Sequence, residues 1–177
     1  MENLYNDIKA AFRDVNDFPK PGILFKDLTP ILEDFELCKR ISGEFCDQLS
    51  KLSPDALVVL DSRGFLFGMM ITTQLGIPLI PVRKAGKLPY NTIAETYDLE
   101  YGTATIEMHT DSLKKGWNVI IHDDLLATGG TAEAASKLII RQEANVSGYA
   151  FLSELLPLQG RKKLLKYSEN IISLVNF

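Results

Sequence analysis

Hydrophobic positions along the chain are spaced in two ways, and each spacing predicts a different element. After Asp34 the apolar residues recur every four positions, as expected for one face of a helix that has Asp34 as its N-cap. Further on, short and largely apolar runs at 56–60, 77–83, 117–124 and 146–152 predict buried strands. The residues on the predicted helix face are Leu37, Ile41, Phe45 and Leu49.

Helices are predicted between these strands. One follows the first strand and reaches Leu75, where Gly76 ends it, and another follows the third strand. Short strands that alternate with helices are typical of parallel βαβ units. The sequence therefore predicts an α/β fold with a mostly parallel central sheet flanked by helices. Ligands bind beyond the carboxyl ends of such strands, here near 61–64, 83–88 and 123–131.

Two segments depart from this alternation within what 177 residues predict to be a single domain. Residues 4–15 predict one helix, and the Pro- and Gly-containing stretch after it allows only a short extended segment at 23–25. About the first 35 residues are therefore expected to form a small N-terminal hood. Residues 95–109 alternate weakly around a turn at 101–102 and predict a flexible two-stranded flap. A short helix is predicted after the LQG turn at 158–160. A final strand is predicted in IISLVNF at 171–177.

Composition and charge exclude several classes of protein. A net charge of -4 disfavours a protein that binds a nucleic-acid backbone. Neither a signal-peptide pattern nor an apolar run of the ~20 residues that cross a bilayer is present, so we expect a cytoplasmic protein without a membrane partner. Cys38 and Cys46 would lie about 12 Å apart along a helix, too far for a disulfide. The two histidines, His109 and His122, are not spaced like zinc ligands.

The stretch ATGGT at 127–131 has the pattern of an anion-binding loop. It lies between a predicted strand end and a predicted helix start, so its N–H groups can converge on one phosphate. Gly129 and Gly130 permit close approach of a ligand, while Thr128 and Thr131 add hydroxyl donors. The nucleotide-binding patterns GxxxxGK[ST] and GxGxxG are both absent. A monophosphate is therefore the expected ligand.

Asp123 and Asp124 directly precede this loop. Carboxylates accept hydrogen bonds from hydroxyl groups, and a sugar phosphate presents vicinal hydroxyls close to its phosphate. Adjacent residues of a strand point to opposite faces, so the two acids are expected to have different roles. Together with the loop they predict a sugar-phosphate site.

At this point DDLLATGGT resembles the ribose-5-phosphate and diphosphate-binding signature of the type I phosphoribosyltransferases, in the version that acts on adenine. The segments DFPKPGILFKDLTPIL, DSRGFLFG, VRKAGKLP and YDLEYGTATIEMH resemble parts of the same enzymes in the same order. The resemblance implies the type I phosphoribosyltransferase fold and a purine-salvage reaction. In that reaction adenine joins 5-phospho-α-D-ribose 1-diphosphate, and AMP and diphosphate are released. The resemblance also implies that Mg²⁺ accompanies the diphosphate. It further implies that the protein is a homodimer.

The resemblance gives roles to further residues. The Asp61–Ser62 peptide is expected to help bind diphosphate, and Arg63 to reach the base or, alternatively, to form an ion pair. Arg83, Lys84 and Lys87 would supply the cations that a departing diphosphate requires. Glu100 is expected near purine N7 as general acid or base, and Tyr101 over the diphosphate.

The hood is expected to recognise the base. The main chain of Leu24 would bind adenine and Phe25 could stack on it, while Lys26 stands where relatives carry arginine. The complete predicted substrate-binding set is Leu24, Phe25, Lys26, Asp61, Ser62, Arg63, Arg83, Lys84, Lys87, Asp123, Asp124, Leu126, Ala127, Thr128, Gly129, Gly130 and Thr131.

Two alternatives remain open, and one residue is excluded from catalysis. A hypoxanthine, guanine or xanthine enzyme would profit from a lysine donor to O6, and the predicted base pocket offers none clearly. A regulator that keeps the pocket but binds nucleic acid would need an added DNA-binding segment or a broad basic face. His122, where relatives carry an aliphatic residue, is expected to be a satisfied buried group without a catalytic role.

Overall fold

The computed structural model of the protein describes residues 2–99 and 102–177. They fall into two compact units, one up to Glu44 and the other from Phe45 onward, and each is described by itself. No helix within the described ranges is long and apolar enough to span a membrane.

The first unit contains a short antiparallel sheet between helices. Its elements are α1 (Glu2–Ala11), β1 (Arg13–Asn16), β2 (Leu24–Asp27), α2 (Thr29–Leu32) and the first part of α3 (Phe35–Leu49). The side-chain carboxylate of Asp34 accepts the amide N–H of Leu37 at 2.9 Å, which confirms the predicted N-cap of α3. The residues of the predicted α3 face, Leu37, Ile41, Phe45 and Leu49, are all buried, as predicted.

The prediction of one helix over residues 4–15 is wrong beyond Ala11. Instead, β1 pairs with β2, in which the extended segment predicted at 23–25 is found shifted toward the C-terminus. Arg13 lies opposite Asp27 and Asp14 opposite Lys26, and both pairs form ion pairs at 2.6 Å. Opposite charges on directly paired positions favour the antiparallel arrangement over a fourth helical turn.

The second unit confirms the predicted α/β architecture. Its strands are β3 (Ala56–Leu60), β4 (Leu79–Lys84), β5 (Thr92–Asp98), β6 (Thr103–His109), β7 (Asn118–Leu126), β8 (Asn145–Glu154) and β9 (Ile171–Asn176). Its helices are the remainder of α3, a 3-10 turn (Ser50–Leu52), α4 (Gly64–Leu75), α5 (Gly130–Arg141), a second 3-10 turn (Leu156–Leu158) and α6 (Arg161–Leu164).

Among the described residues seven strands form one sheet in the order β5-β6-β4-β3-β7-β8-β9. Neighbouring strands of the series β4-β3-β7-β8-β9 pair in parallel, whereas β6 pairs antiparallel with both β4 and β5. Every residue of β3 is buried, as a central parallel strand covered on both faces should be. The carboxyl ends of β3, β4 and β7 therefore meet at one edge of the sheet, where the predicted ligand-binding segments begin.

Candidate active site

The loop at residues 127–131 joins the end of β7 to the start of α5. Gly129 is the N-cap of α5, has a φ of +78°, and carries no side chain that could cap the helix. The first N–H groups of a helix have no partner within the helix, so these donors are available to a ligand. The loop lines a cleft together with Leu126, Asp123 and Phe151. This geometry suits an anion, and that this loop binds one stays a prediction.

A segment near the C-terminus supports this loop from behind. A Cβ added to Gly129 would lie 2.6 Å from the carbonyl oxygen of Gly160, and a Cβ added to Gly160 would lie 2.9 Å from the Gly129 nitrogen. Gly160 has an ordinary φ of -56°, so it is the close packing and not the backbone conformation that demands glycine there. Sequence reasoning missed Gly160 because its surroundings are those of any polar turn.

Asp123 lies at the junction of two neighbouring clefts. The cleft lined by the 127–131 loop and a second cleft share Leu60, Asp123 and Thr131. The second cleft is also lined by Asp61, Lys84 and Tyr97. The two adjoining clefts thus run from the 127–131 loop, past the half-buried carboxylate of Asp123, to Lys84.

The two consecutive aspartates have different surroundings. Burial, followed by the charge of Asp124, raises the pKa of Asp123, whose carboxylate accepts the Asp124 amide N–H at 2.9 Å. Asp124 forms an ion pair with Arg63 at 2.9 Å. Burial still raises the pKa of Asp124, and the Arg63 guanidinium opposes that rise. Arg63 therefore takes the ion-pair alternative in this structure.

The predicted basic trio is only partly gathered at the cleft. Lys84 lines it, whereas Arg83 contacts Asp61 at 3.3 Å and donates to the carbonyl oxygen of Lys87 at 3.3 Å. The Asp61–Ser62 peptide, predicted to bind diphosphate, is cis. Asp61 also donates its amide N–H to the Val82 carbonyl, so the ends of β3 and β4 are held together.

The predicted flap forms strands β5 and β6, and its base contacts the 127–131 loop. The hydroxyl groups of Tyr97 and Thr131 are 2.9 Å apart, and the Tyr97 ring lies 3.3 Å from where a Cβ of Gly130 would be. Tyr97 was not predicted as part of the site, although its place in the flap sequence was a usable signal. Glu100 and Tyr101, the predicted catalytic residues, lie outside the described residues.

The predicted base-recognition residues belong to the first unit. Leu24 is half exposed, the Phe25 ring packs edge-on against Phe18 with centroids 5.1 Å apart, and Lys26 is paired with Asp14. Their roles toward adenine stay predictions.

His122 corrects one expectation. Its Nδ1 bonds to the Ala150 carbonyl at 2.9 Å and its ring packs edge-on against Phe45, but its fully buried Nε2 has no hydrogen-bond partner within residues 2–99 and 102–177. It is therefore not fully satisfied: Nδ1 donates to the carbonyl, so Nε2 of the neutral ring is an acceptor, and this position on β7 offers it no donor. Burial lowers the pKa of His122 to about 4.

We expect His122→Leu to make stability less dependent on pH. Between pH 6.5 and about 4 the unfolded state protonates this imidazole while the folded state does not, so wild-type stability falls as the pH drops through that window. The loss reaches about 3 kcal/mol at its lower end. The raised pKa of Asp123 makes stability change with pH in the opposite direction, but this contribution is the same in wild type and variant.

Urea unfolding of wild type and variant at pH 7, 5.5 and 4.5 measures this difference. His109→Gln, which removes the other histidine, should keep the wild-type slope. Parallel pH profiles for wild type and His122→Leu would show that His122 does not resist protonation.

Comparisons with known proteins agree with the geometry. The phosphoribosyl transferase domain family matches residues 26–172. An adenine phosphoribosyltransferase of Cytophaga hutchinsonii is 57% identical over 176 residues, which cover 99% of this chain and 97% of the relative.

Two solved structures are similar over almost the whole chain. The adenine phosphoribosyltransferase of Thermoanaerobacter pseudethanolicus has a TM-score of 0.94 and 44% identity, covering 98% of this chain and 99% of that one. The enzyme of Saccharomyces cerevisiae, crystallised with an imino-altritol bisphosphate and adenine, has a TM-score of 0.92 and 39% identity, with the same coverage.

Proposed function

This chain belongs to the phosphoribosyl transferase family and makes AMP and diphosphate from adenine and 5-phospho-α-D-ribose 1-diphosphate, and we propose how its residues divide that work. The observation that carries the proposal is the pair of adjoining clefts that place the 127–131 loop, Asp123 and Lys84 in that order. The sugar diphosphate has the matching order of phosphate, hydroxyl-bearing ring and diphosphate.

In this proposal the loop amides at 127–131 bind the 5′-phosphate and Asp123 accepts hydrogen bonds from the pentose hydroxyls. Lys84 binds the diphosphate, with Arg83, Lys87 and the Asp61–Ser62 peptide beside it. Adenine attacks the anomeric carbon, the bond from that carbon to the diphosphate oxygen breaks, and a proton leaves the imidazole ring of the base. Positive charge develops on the sugar and negative charge on the leaving group, so these fixed cations stabilise the transition state.

Mg²⁺ fits the same clefts as a companion of the substrate. No group of three potential metal-ligating side chains occurs in the part of the chain that the structure describes, but Asp61 and Asp123 line one cleft. One or two carboxylates plus substrate phosphates is the usual way in which proteins bind Mg²⁺. When bound, the ion would neutralise charge on the departing diphosphate.

We further propose a homodimer in the cytoplasm. Helix α4 buries Phe67 and Ile71, yet Leu66 and Met69 on its other side are 42% and 60% exposed. A helix that is apolar on both sides favours burial on both, and a second copy would cover the exposed one. The cytoplasm is where a highly charged sugar diphosphate, which does not cross a bilayer unaided, is available to the enzyme.

The substrate is tested with purified protein, Mg²⁺ and the sugar diphosphate, to which adenine, hypoxanthine, guanine and xanthine are added separately. We expect AMP from adenine and no nucleotide from the other bases. Nucleotide from a 6-oxopurine would contradict the assigned base, and no product with any base would favour the regulator.

Glu100→Gln is expected to lower kcat by about 100-fold, because the amide cannot accept the proton that leaves adenine. The KM for the sugar diphosphate should stay close to wild type. Asp98→Asn, which removes a charge from the same hairpin, is the matched control and should leave both constants nearly unchanged. Steady-state kinetics measure both, and equal losses in kcat and in sugar-diphosphate affinity would contradict the role of Glu100 in proton transfer.

A further inference from the structure

Glu107 is a buried carboxylate to which the reaction as described gives no role. It lies on β6, directly opposite Arg83 of β4 on one side and Ala94 of β5 on the other. Only 6% of the residue is exposed. No lysine or arginine of the described residues forms an ion pair with it, so its partners must be other donors.

Those partners are the backbone of the basic loop, defined here as residues 84–88. One oxygen of Glu107 accepts the amide N–H of Lys87 at 3.0 Å and that of Leu88 at 2.9 Å. The other accepts the Thr92 hydroxyl at 3.4 Å. The amides, Leu88 first, lower the pKa of Glu107 despite its burial, so the group is ionised at neutral pH.

The basic loop has further contacts that depend on this arrangement. Ala85 donates its N–H to the Thr105 carbonyl at 3.0 Å, and Arg83 donates to the Lys87 carbonyl at 3.3 Å. The loop is thus fastened to β6 at both ends, with Glu107 at the end that carries Lys87. Without that carboxylate two neighbouring amides would lose a charged acceptor, and the backbone that presents Lys84 and Lys87 would lose its fixed position.

We propose that Glu107 is a positioning residue for diphosphate binding: it holds the basic loop so that Lys84 and Lys87 meet the leaving group. Because Glu107 and Thr92 belong to the two flap strands, the same side chain fastens the base of the flap to the basic loop. The inference rests on the proposed function, since it requires that these lysines bind diphosphate.

Three substitutions separate the geometry of Glu107 from its charge. Glu107→Ala removes the acceptor. Glu107→Asp keeps the charge but withdraws it by about 1.5 Å, one carbon–carbon bond. Glu107→Gln loses the charge but can still accept both amides through its oxygen while its NH₂ group donates to the Thr92 hydroxyl. Thr92→Val is the matched control, because it removes only the contact that does not involve the basic loop.

We expect Glu107→Ala and Glu107→Asp to raise the KM for the sugar diphosphate, and the Kd for inorganic diphosphate measured by calorimetry, by about tenfold. The KM for adenine should change less than twofold. Glu107→Gln and Thr92→Val should stay near wild type. If Glu107→Ala does not fold, Glu107→Asp against Glu107→Gln makes the same comparison.

Two results would overturn the proposal. One is a parallel rise in the KM values of both substrates that tracks a loss of thermal stability, which indicates a purely structural role. The other is a wild-type KM for the sugar diphosphate in Glu107→Asp. Wild-type protein that neither binds diphosphate nor forms AMP would instead refute the proposed function, before any variant is compared.

Discussion

Gly129→Ala is expected to lower kcat/KM for the sugar diphosphate by about 100-fold or more, the usual cost of displacing a binding group by about 1 Å. Two independent reasons apply. The φ of Gly129 is +78°, a region that disfavours residues with a Cβ. The new Cβ would also lie 2.6 Å from the Gly160 carbonyl oxygen, so the loop has to move away from its support. The displaced amides could then no longer converge on the 5′-phosphate.

Gly116→Ala is the matched control. Gly116 has a φ of +82° but no atom within 4 Å of its potential Cβ, so it carries the same backbone cost without the collision. Both variants should lose similar stability from the backbone alone, and only Gly129→Ala should lose activity. Steady-state kinetics and thermal unfolding of the pair decide this. Equal activity in the two variants would mean that the loop is not the phosphate site.

Asp123→Asn is expected to reduce activity strongly without reducing stability. An amide is a weaker acceptor for the pentose hydroxyls than a carboxylate, and the loss of two charge-assisted hydrogen bonds corresponds to about 3 kcal/mol, or about 100-fold in kcat/KM. The asparagine oxygen can still accept the Asp124 amide N–H. Because burial raises the pKa of Asp123, the folded state loses stability as the pH rises from 3.8 through that raised value. Removing the acid should therefore leave Tm at pH 7 unchanged or higher.

Asp124→Asn provides the contrast. It removes the carboxylate that pairs with Arg63 at 2.9 Å, so its Tm at pH 7 should lie below that of Asp123→Asn, although burial raises the pKa of Asp124 as well. Differential scanning calorimetry at pH 7 together with kinetics distinguishes the two aspartates. A clear loss of Tm in Asp123→Asn, with a loss of activity no larger than the loss of folded protein, would show that Asp123 stabilises the fold and does not bind substrate.

The elements with strong local signals could be predicted from the sequence. The apolar run of β3 was located at its observed bounds, because a central parallel strand is apolar throughout. The N-cap Asp34 and the end of α4 before Gly76 were also predicted, since both depend on chemistry within one turn of the helix. The loop between β7 and α5 could be placed at residues 127–131 because two glycines between two threonines follow an apolar strand.

What the sequence could not reveal depends on contacts between distant segments. Strand β1 forms because residues about a dozen positions away supply opposite charges. Gly160 and Glu107 are ordinary in their local sequence, and their importance arises from the backbone of another segment lying against them. The unpartnered Nε2 of His122 likewise follows from what packs around β7, which no single-sequence pattern specifies.

The most direct test of the account is a crystal structure of the protein with AMP. The account predicts phosphate oxygens about 2.9 Å from the amide nitrogens of residues 127–131, and ribose hydroxyl groups bonded to the carboxylate of Asp123. A complex in which the phosphate binds elsewhere, with this loop and Asp123 making no contact to the nucleotide, would contradict it.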